Sequence, residues 1–349
     1  MRIDHQVLRE AIASLLLAGG VDEIQCRTVA ANLAWCDMVG RRNHGLERLP
    51  ILLRRVGTGA IRCPSRPHFE QIASSSALLF ADRGFGHHAA ELAIARACDL
   101  AFETGIGIVG VRDSNFYGAG AYYVNLAAER GMIGLALSNS FPKVAPPGGT
   151  GPALGTNPFS FGVPRRSGRA IIVDMSTASV AGSTIREAIA KGETLADGIA
   201  IDRCGNPVHD PAEVAKGTLL PAAGGKGLGL AVLVEVLSAV LTGAGIGGEV
   251  GSMYKDIDRP GNNGHFLLAL DPSRWMPPAV FHERVERMAS VILDTGPVGR
   301  VRLPGELRWA HFEESLAKGV EIDDAMAAQT EALAQDLGIQ SIWRGCHAG

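Results

Sequence analysis

Between residues 77 and 270 the chain alternates short apolar runs with amphipathic stretches, and helical sequence alone flanks this alternation on both sides. Residues 77–81, 106–111, 133–137, 159–163, 170–175 and 266–270 read as strands, while 89–103, 120–129, 185–191 and 227–241 read as helices. Such a mixture builds an α/β sheet domain. Ahead of it, Val7, Leu8, Ile12, Leu15 and Leu16 recur at helical spacing within 4–18, and Gly19-Gly20 ends the pattern. A second helix is predicted over 23–37, and a third from near Asn43 carrying Leu46, Leu49, Leu52 and Leu53. Helical sequence returns at 277–293 and 306–319. The expected organisation is a helical unit formed by both termini, residues 1–70 with 275–349, and an α/β unit over 71–274.

Two stretches match the glycine pattern G-x-G-x-x-G of dinucleotide-binding turns, and both stand in the wrong context. Gly105, Gly107 and Gly110 precede and occupy a predicted strand, and Gly243, Gly245 and Gly248 follow a helix. The pattern works only where a strand runs through the glycine turn into a helix N-terminus facing a pyrophosphate. These glycines therefore read as turn and packing residues. Walker A, HExxH and GxSxG patterns do not occur.

Charge and composition narrow the function class. With a formal net charge of −3 over 349 residues and its basic side chains dispersed, the chain has no electrostatic footprint for nucleic acid. The longest apolar run, 228–241, contains Glu235 and falls short of the about 20 residues that span a bilayer. Residues 1–20 lack a signal-peptide layout. Cys26, Cys36, Cys63, Cys98, Cys204 and Cys346 lie far apart, without a CxxC pair or a Cys/His cluster at zinc spacing. They read as reduced thiols of a cytoplasmic protein with no metal site. His87-His88 reads as a helix-start pair, because further metal ligands are not in sight.

Four segments have side chains suited to chemistry. Gly224-Gly225-Lys226-Gly227 opens a long apolar helix, where free N–H groups and a lysine suit an anion; a plain loop with a solvated lysine is the competing reading. The apolar run 171–175 carries Asp174 near its end, which suits either ribose hydroxyls or a turn cap. Gly155-Thr156-Asn157-Pro158 reads as a turn before a strand, its polar side chains serving backbone or ligand. His44 and Arg48 stand four apart, so on a helix they share one face. They make either a proton donor with a carboxylate clamp or a surface pair.

Together these segments resemble the type 2 malate/L-lactate dehydrogenase family, which includes sulfolactate and ureidoglycolate dehydrogenases, 2,3-diketogulonate reductase and piperideine-2-carboxylate reductase. The likeness runs over nearly the whole chain. It rests on Asn43-His44-Gly45-Leu46-Glu47-Arg48, Gly131-Met132-Ile133-Gly134 with Ser138-Asn139-Ser140, and Gly155-Thr156-Asn157-Pro158. It continues through Val173-Asp174-Met175-Ser176, Gly224-Gly225-Lys226-Gly227, Asn263-Gly264-His265-Phe266 and Arg302-Leu303-Pro304-Gly305-Glu306. The tail is most similar to the diketogulonate reductase branch. The resemblance implies a homodimer whose mixed-sheet nicotinamide-binding domain has a non-Rossmann, sulfolactate-dehydrogenase-like topology. It implies NAD or NADP held by Asp174, Met175, Ser176, Gly225, Lys226, Gly305 and Glu306, with Ser140, Thr156 and Asn157 nearby. His44 would protonate the carbonyl oxygen of a small 2-oxo acid, and Arg48 would hold its carboxylate.

Three pocket positions depart from the family pattern. Phe116 occupies the position of a catalytic histidine in many members, and a phenyl ring can neither donate a proton nor polarise a carbonyl. Asn43 stands where serine is usual, and Thr184 where relatives carry Lys or Asp. The apolar Phe116/Tyr117 wall suits a substrate bulkier or less polar than malate. The expected activity is reduction of a 2-oxo acid with NAD(P)H. Reduction of a cyclic imino acid is the alternative, and a catalytically weakened cofactor-binding homologue is a third reading. Arg300, Arg302 and Arg308 meet either a 2′-phosphate or solvent.

Overall fold

The structure is a computed structural model that describes residues 1–180, 182–215, 217–297 and 299–343. The chain opens with β1 (Arg2–Ile3), α1 (His5–Ala18), α2 (Glu23–Met38) and α3 (Leu49–Gly57). The alternating region follows as β2 (His68–Ala73), β3 (Ser76–Phe80), α4 (Gly86–Thr104), β4 (Ile106–Ser114), α5 (Gly120–Glu129), β5 (Ile133–Ser138), β6 (Phe159–Val163) and β7 (Ile171–Met175). Then come α6 (Gly182–Lys191), β8 (Ala200–Ile201), β9 (Thr218–Leu219), α7 (Gly225–Glu235) and β10 (Asn263–Leu270). The chain closes with α8 (Pro278–Leu293), α9 (Glu306–Lys318), β11 (Val320–Glu321) and α10 (Asp324–Asp336).

Seven strands form one sheet in the order β2-β3-β4-β10-β5-β6-β7. β3 and β4 pair in parallel and every other neighbouring pair is antiparallel. β10 is the decisive strand: it enters antiparallel between β4 and β5, which a doubly wound parallel sheet does not allow. From this pairing β3, β4, β5 and β7 all run one way, so the C-terminal ends of β4, β5 and β7 meet at one edge. That edge positions the site.

Alternation within β10 decides which helices cover which face. Leu267 and Ala269 pack with Ala93, Ala97 and Tyr123 of α4 and α5, while Phe266 and Leu268 pack with Val234 of α7. The glycines of the first fingerprint serve this packing. Gly105 ends α4 in the left-handed region at φ 89°. A Cβ on Gly107 would stand 1.8 Å from the Ala97 carbonyl oxygen, so only glycine lets α4 lie this close to β4. Gly243 and Gly245 shape the turn after α7, against Arg112 and Asn262.

Both chain ends share one apolar core. Leu8, Ile12, Leu15, Leu33, Leu49 and Leu52 pack with Val320, Ile322, Ala334 and Trp343, and β1 pairs with β11. α8 instead lies against the β6–β7 side, with Val285 and Ala289 on Val163 and Ile171. Asp4 and Asp22 cap α1 and α2 through their carboxylates.

Several elements differ from the sequence reading, among them α10 and the short strands β1, β8, β9 and β11, which it did not contain. The third helix does not begin near Asn43: Arg42–His44 and Leu46–Arg48 are separate 3₁₀ turns broken at Gly45, and the α-helix starts at Leu49 with a proline in its first turn. The helix predicted over 227–241 begins at Gly225 and loosens into a π-helical turn over Val236–Val240. β2 was not expected, since all six of its residues are exposed and no face of it is buried.

Candidate active site

The cleft opens at the sheet edge where β4, β5 and β7 end. The segment after β4 contributes Asn115 to Ala119, the segment after β5 contributes Asn139 to Lys143, and the end of β7 contributes Asp174 and Met175. The turn holding His44 and Arg48 closes it from the helical unit. Two adjoining lobes result, of about 440 and 450 Å³. His44, Asn43, Phe116, Ser140 and Thr156 lie on the walls of both. Tyr117, Asp174, Met175 and Ser176 line one lobe, which we call the polar lobe, and Arg48 the other.

His44 and Arg48 thus come together, but not as neighbours on one helix face. Gly45 is extended at φ −95° and ψ −142°, and the buried carboxylate of Asp37 fixes that break by accepting the Leu46 N–H at 2.8 Å. Burial raises the Asp37 carboxyl to about 7, against the lowering pull of the Leu46 N–H and Arg42. Arg48 donates through Nε to the Asn43 carbonyl and lies over the Tyr254 ring at 5.6 Å. Its Nη2 is 3.6 Å from Glu47.

Burial of its ring lowers the pKa of His44 to about 4; Asp174 pulls the other way, and Arg48, Arg41 and Arg308 add to the lowering. The Nδ1 atom of His44 is buried without a hydrogen-bond partner. At neutral pH the imidazole is therefore uncharged, inside a field of three guanidiniums and one carboxylate. Such a field suits an anion.

Phe116 stands between two imidazoles, 5.8 Å from His44 and 5.5 Å from His87 between ring centroids. His87 and His88 do stand in the first turn of α4, but His87 faces inward. It is fully buried behind Phe116, neither ring nitrogen has a partner, and burial lowers its pKa to about 3. Tyr117 stacks on His265 at 4.8 Å, and His265 bridges Ser138 and Ser114 at 2.8 Å each. This network locks the ends of β4, β5 and β10 together.

Asp174 lies at the base of the polar lobe. It accepts from Ser160 Oγ at 2.7 Å and from Arg308 Nη2 at 3.0 Å. Arg308 is turned away from solvent: its side chain is 8% exposed and pairs with Asp174 through Nη2, while Nε and Nη1 are buried without a partner. Ser140 Oγ accepts the Thr156 N–H at 3.0 Å, which ties the turn before β6 to the segment after β5. Asn157 is fully buried behind the wall, accepting from Ser140 N and donating to Glu235 at 2.7 Å.

The remaining expected residues lie outside both lobes. Gly225 and Lys226 are exposed in the first turn of α7, which packs on the segment after β7 through the Ala222–Thr177 backbone bond. Gly305, at φ 94°, approaches Ile172 of β7 too closely for a side chain, and Glu306 opens α9 beside it. Thr184 is exposed, while its neighbour Ile185 reaches both lobes. Sequence reasoning missed Asp37, Lys143, Phe141 and Tyr254. Nothing in their local patterns marks them, because their relevance comes from tertiary placement. Cys26, Cys36, Cys63, Cys98 and Cys204 are free thiols, and Cys346 lies outside the described residues. Among the described residues no cluster of three or more His, Cys, Asp or Glu is arranged to hold a metal ion.

The family model for malate/L-lactate dehydrogenase matches residues 3–330. The chain belongs to this family. It is therefore an oxidoreductase of the dehydrogenase type. It is 33% identical to a malate/(S)-sulfolactate dehydrogenase of Methanothermus fervidus, over 98% of this chain and 100% of that one. It is 32% identical to a (2R)-3-sulfolactate dehydrogenase (NADP(+)) of Chromohalobacter salexigens, over 94% and 97%. The solved Δ1-piperideine-2-carboxylate reductase of Pseudomonas syringae superposes with a TM-score of 0.88 at 28% identity, covering 96% of this chain and 100% of that chain. The dehydrogenase thus shares its mixed α/β fold with this reductase over almost its full length.

Proposed function

We propose that this family member reduces a small 2-oxo acid to the 2-hydroxy acid, and runs the reverse oxidation, using NAD or NADP. The observation that carries the reading is one cleft in which an uncharged imidazole lies on the walls of two adjoining lobes, one holding a guanidinium and the other lined by hydroxyls and a carboxylate. That polar lobe suits a dinucleotide by its lining: the Lys143 ammonium, the Ser140 and Thr156 hydroxyls and the Asp174 carboxylate. Asp174, Met175, Ser176, Ser140 and Thr156 would hold the dinucleotide within the lobe. Gly225, Lys226, Gly305 and Glu306, together with buried Asn157, would act from its surroundings. When bound, the nicotinamide supplies or takes up a hydride.

The rest is the work of the chain. Arg48 would bind the carboxylate with two parallel bonds, which orients the 2-oxo carbon. His44 would deliver the proton to the oxygen in reduction and accept it in oxidation. A substrate carboxylate at Arg48 offsets one of the charges that depress the imidazole, so substrate binding itself raises the proton affinity of His44. Asn43, Phe116 and Tyr117 would shape the pocket, with Ile185 in the place expected for its neighbour Thr184.

Reduction of a cyclic imino acid is a second reading, favoured by the superposition on the piperideine reductase and by Phe116. An imine nitrogen is more basic than a carbonyl oxygen and needs less help in protonation. A spectrophotometric screen of NADH and NADPH against 2-oxo acids and piperideine- or pyrroline-2-carboxylate separates the two. Turnover confined to the imines selects the second reading, and tight cofactor binding without turnover on any substrate refutes both. His44→Ala should lower kcat by about 10²–10⁴. An undiminished rate would remove this imidazole from the role.

The assembly belongs to the same proposal. Val232, Leu233, Val236, Val240 and Leu241 leave an apolar stripe along α7 and its π-helical turn, with Leu241 65% exposed. A second copy of the chain covering this stripe would give the homodimer. No helix among the described residues is long and apolar enough to cross a membrane, and the reduced thiols suit a cytoplasmic protein.

A further inference from the structure

The lobe beside Arg48 is far larger and more apolar than a substrate of malate size requires. At about 440 Å³ it lies in the range of pockets that enclose drug-sized ligands. Leu52, Ile61 and Met253 form its buried floor, and Phe116, Phe141 and Tyr254 its aromatic wall. Phe141 and Tyr254 meet edge to face with centroids 6.0 Å apart, and Tyr254 keeps 54% of its surface open to be covered. Arg48 stands at the foot of that wall, over the Tyr254 ring at 5.6 Å. A molecule whose carboxylate meets Arg48 therefore extends its side chain along aromatic surface.

The wall is held in place. Arg55 donates through Nη1 to the Asp256 carbonyl at 2.8 Å and through Nη2 to the Arg259 carbonyl at 2.7 Å. Thr58 Oγ1 adds a bond to the Ile257 carbonyl at 2.9 Å. The segment carrying Met253 and Tyr254 is thus pinned to α3 and the residue after it. The same bonds engage Arg55, the other guanidinium on this lobe, so it is not available to a second acidic group. Lys143 lies where the two lobes join and also faces the polar one.

We propose that the side chain of the physiological substrate is a bulky aromatic group, seated in the lobe walled by Phe116, Phe141 and Tyr254. This rests on the dehydrogenase reading above and names its substrate class: a monocarboxylate aromatic 2-oxo acid, or its 2-hydroxy partner. A charged side chain reaching the floor of Leu52, Ile61 and Met253 would be desolvated there without a partner, Lys143 standing at the junction of the lobes. A flat ring gains both burial and edge contacts there.

The test is a comparison of kcat/KM for phenylpyruvate, oxaloacetate and pyruvate with saturating NADH and, separately, NADPH. Phenylpyruvate should exceed each of the others by more than tenfold. In Phe141→Asp that ratio should fall at least threefold, chiefly through KM for phenylpyruvate, with the melting curve verifying the fold. Tyr254→Ala, at an exposed position, gives the same readout if Phe141→Asp does not fold. Turnover of oxaloacetate or pyruvate with a ratio of ten or less overturns the aromatic assignment and leaves the dehydrogenase reading standing. A ratio unmoved in the variant overturns the placement of the ring in this lobe. Absence of turnover on all three, with both cofactors, defeats the underlying reading and the proposal with it.

Discussion

Gly45→Ala probes the break that sets His44 beside Arg48. A Cβ at this position would stand 2.2 Å from Oδ1, 2.3 Å from Cγ and 2.5 Å from Oδ2 of Asp37, so the buried carboxylate has to move. Its bond to the Leu46 N–H, 2.8 Å long, is then lost. Leaving those buried groups unpaired costs about 1–3 kcal/mol, and forcing a methyl into packed space costs about 1–3 kcal/mol more. For a chain of this size the melting temperature should fall by roughly 3–8 °C. Displacing His44 and Arg48 by about 1 Å should reduce kcat/KM about 10²-fold. Gly57→Ala is the control: nothing lies within 4 Å of its Cβ at the end of α3, and it should gain about 0.4–1 kcal/mol. Melting followed by circular dichroism, together with steady-state rates, reads both variants. Adding Asp37→Ala to Gly45→Ala should recover at least 1 kcal/mol by relieving the contact. A Gly45→Ala protein that melts within 1 °C of wild type and turns over normally would refute the account of this loop.

Four further outcomes follow from the same coordinates. Stability should fall as pH drops from about 6.5 towards 4: His44, His87 and His265 have folded pKa values of about 4, 3 and 3, so the unfolded chain binds their protons first. Asp37, raised to about 7, opposes one of the three, leaving a net loss of about 2–3 kcal/mol per pH unit; denaturant midpoints that rise on acidification would contradict this. In the oxidative direction kcat/KM should stay level from pH 8 to 6 and decline only as the His44 imidazole protonates, whereas a profile falling through pH 6.5–7 would place the base elsewhere. Arg308→Met breaks the 3.0 Å pair with Asp174, and should destabilise by about 3–5 kcal/mol and raise the KM for dinucleotide at least tenfold; unchanged values of both would exclude Arg308 as the positioning partner of Asp174. Val236→Glu with Val240→Glu should convert a dimer to monomer by light scattering, and an unaffected mass would move the interface off α7.

Legibility in the sequence followed the physics of each element. β6 was read at its observed limits, because apolar residues bounded by turn residues admit few other structures. The first glycine fingerprint has the context read from the sequence: Gly105 precedes β4, Gly107 and Gly110 lie within it, and Gly107 lets α4 pack against the strand. β2 escaped notice because an edge strand with no buried face leaves no burial pattern. The turn at 42–48 escaped because its shape is set by Asp37, a residue distant in space from nothing in the motif but carrying no local signal of its own. Asp174 had an open reading as turn cap or ligand. Its partners, Ser160 and Arg308, come from a neighbouring strand and from a helix more than a hundred residues away, and no spacing rule reaches that far.

Phe116 links the two lobes to the proton chemistry. Its ring separates His44 from His87, and both imidazoles pay for their apolar surroundings with lowered proton affinity. A histidine at this position would place a second imidazole beside His44 in the cleft and would make polar the wall that Phe141 and Tyr254 continue. With phenylalanine there, the proposed mechanism leaves proton transfer to His44 and charge recognition to Arg48, beside a volume walled by apolar side chains. The arrangement makes His44 conditional. Buried and uncharged among guanidiniums, it would gain basicity when a carboxylate reaches Arg48, so on this proposal an anionic substrate prepares its own proton carrier. An apolar side chain strengthens that coupling, since a ring seated in the aromatic lobe excludes water and leaves the carboxylate and imidazole to interact at low dielectric.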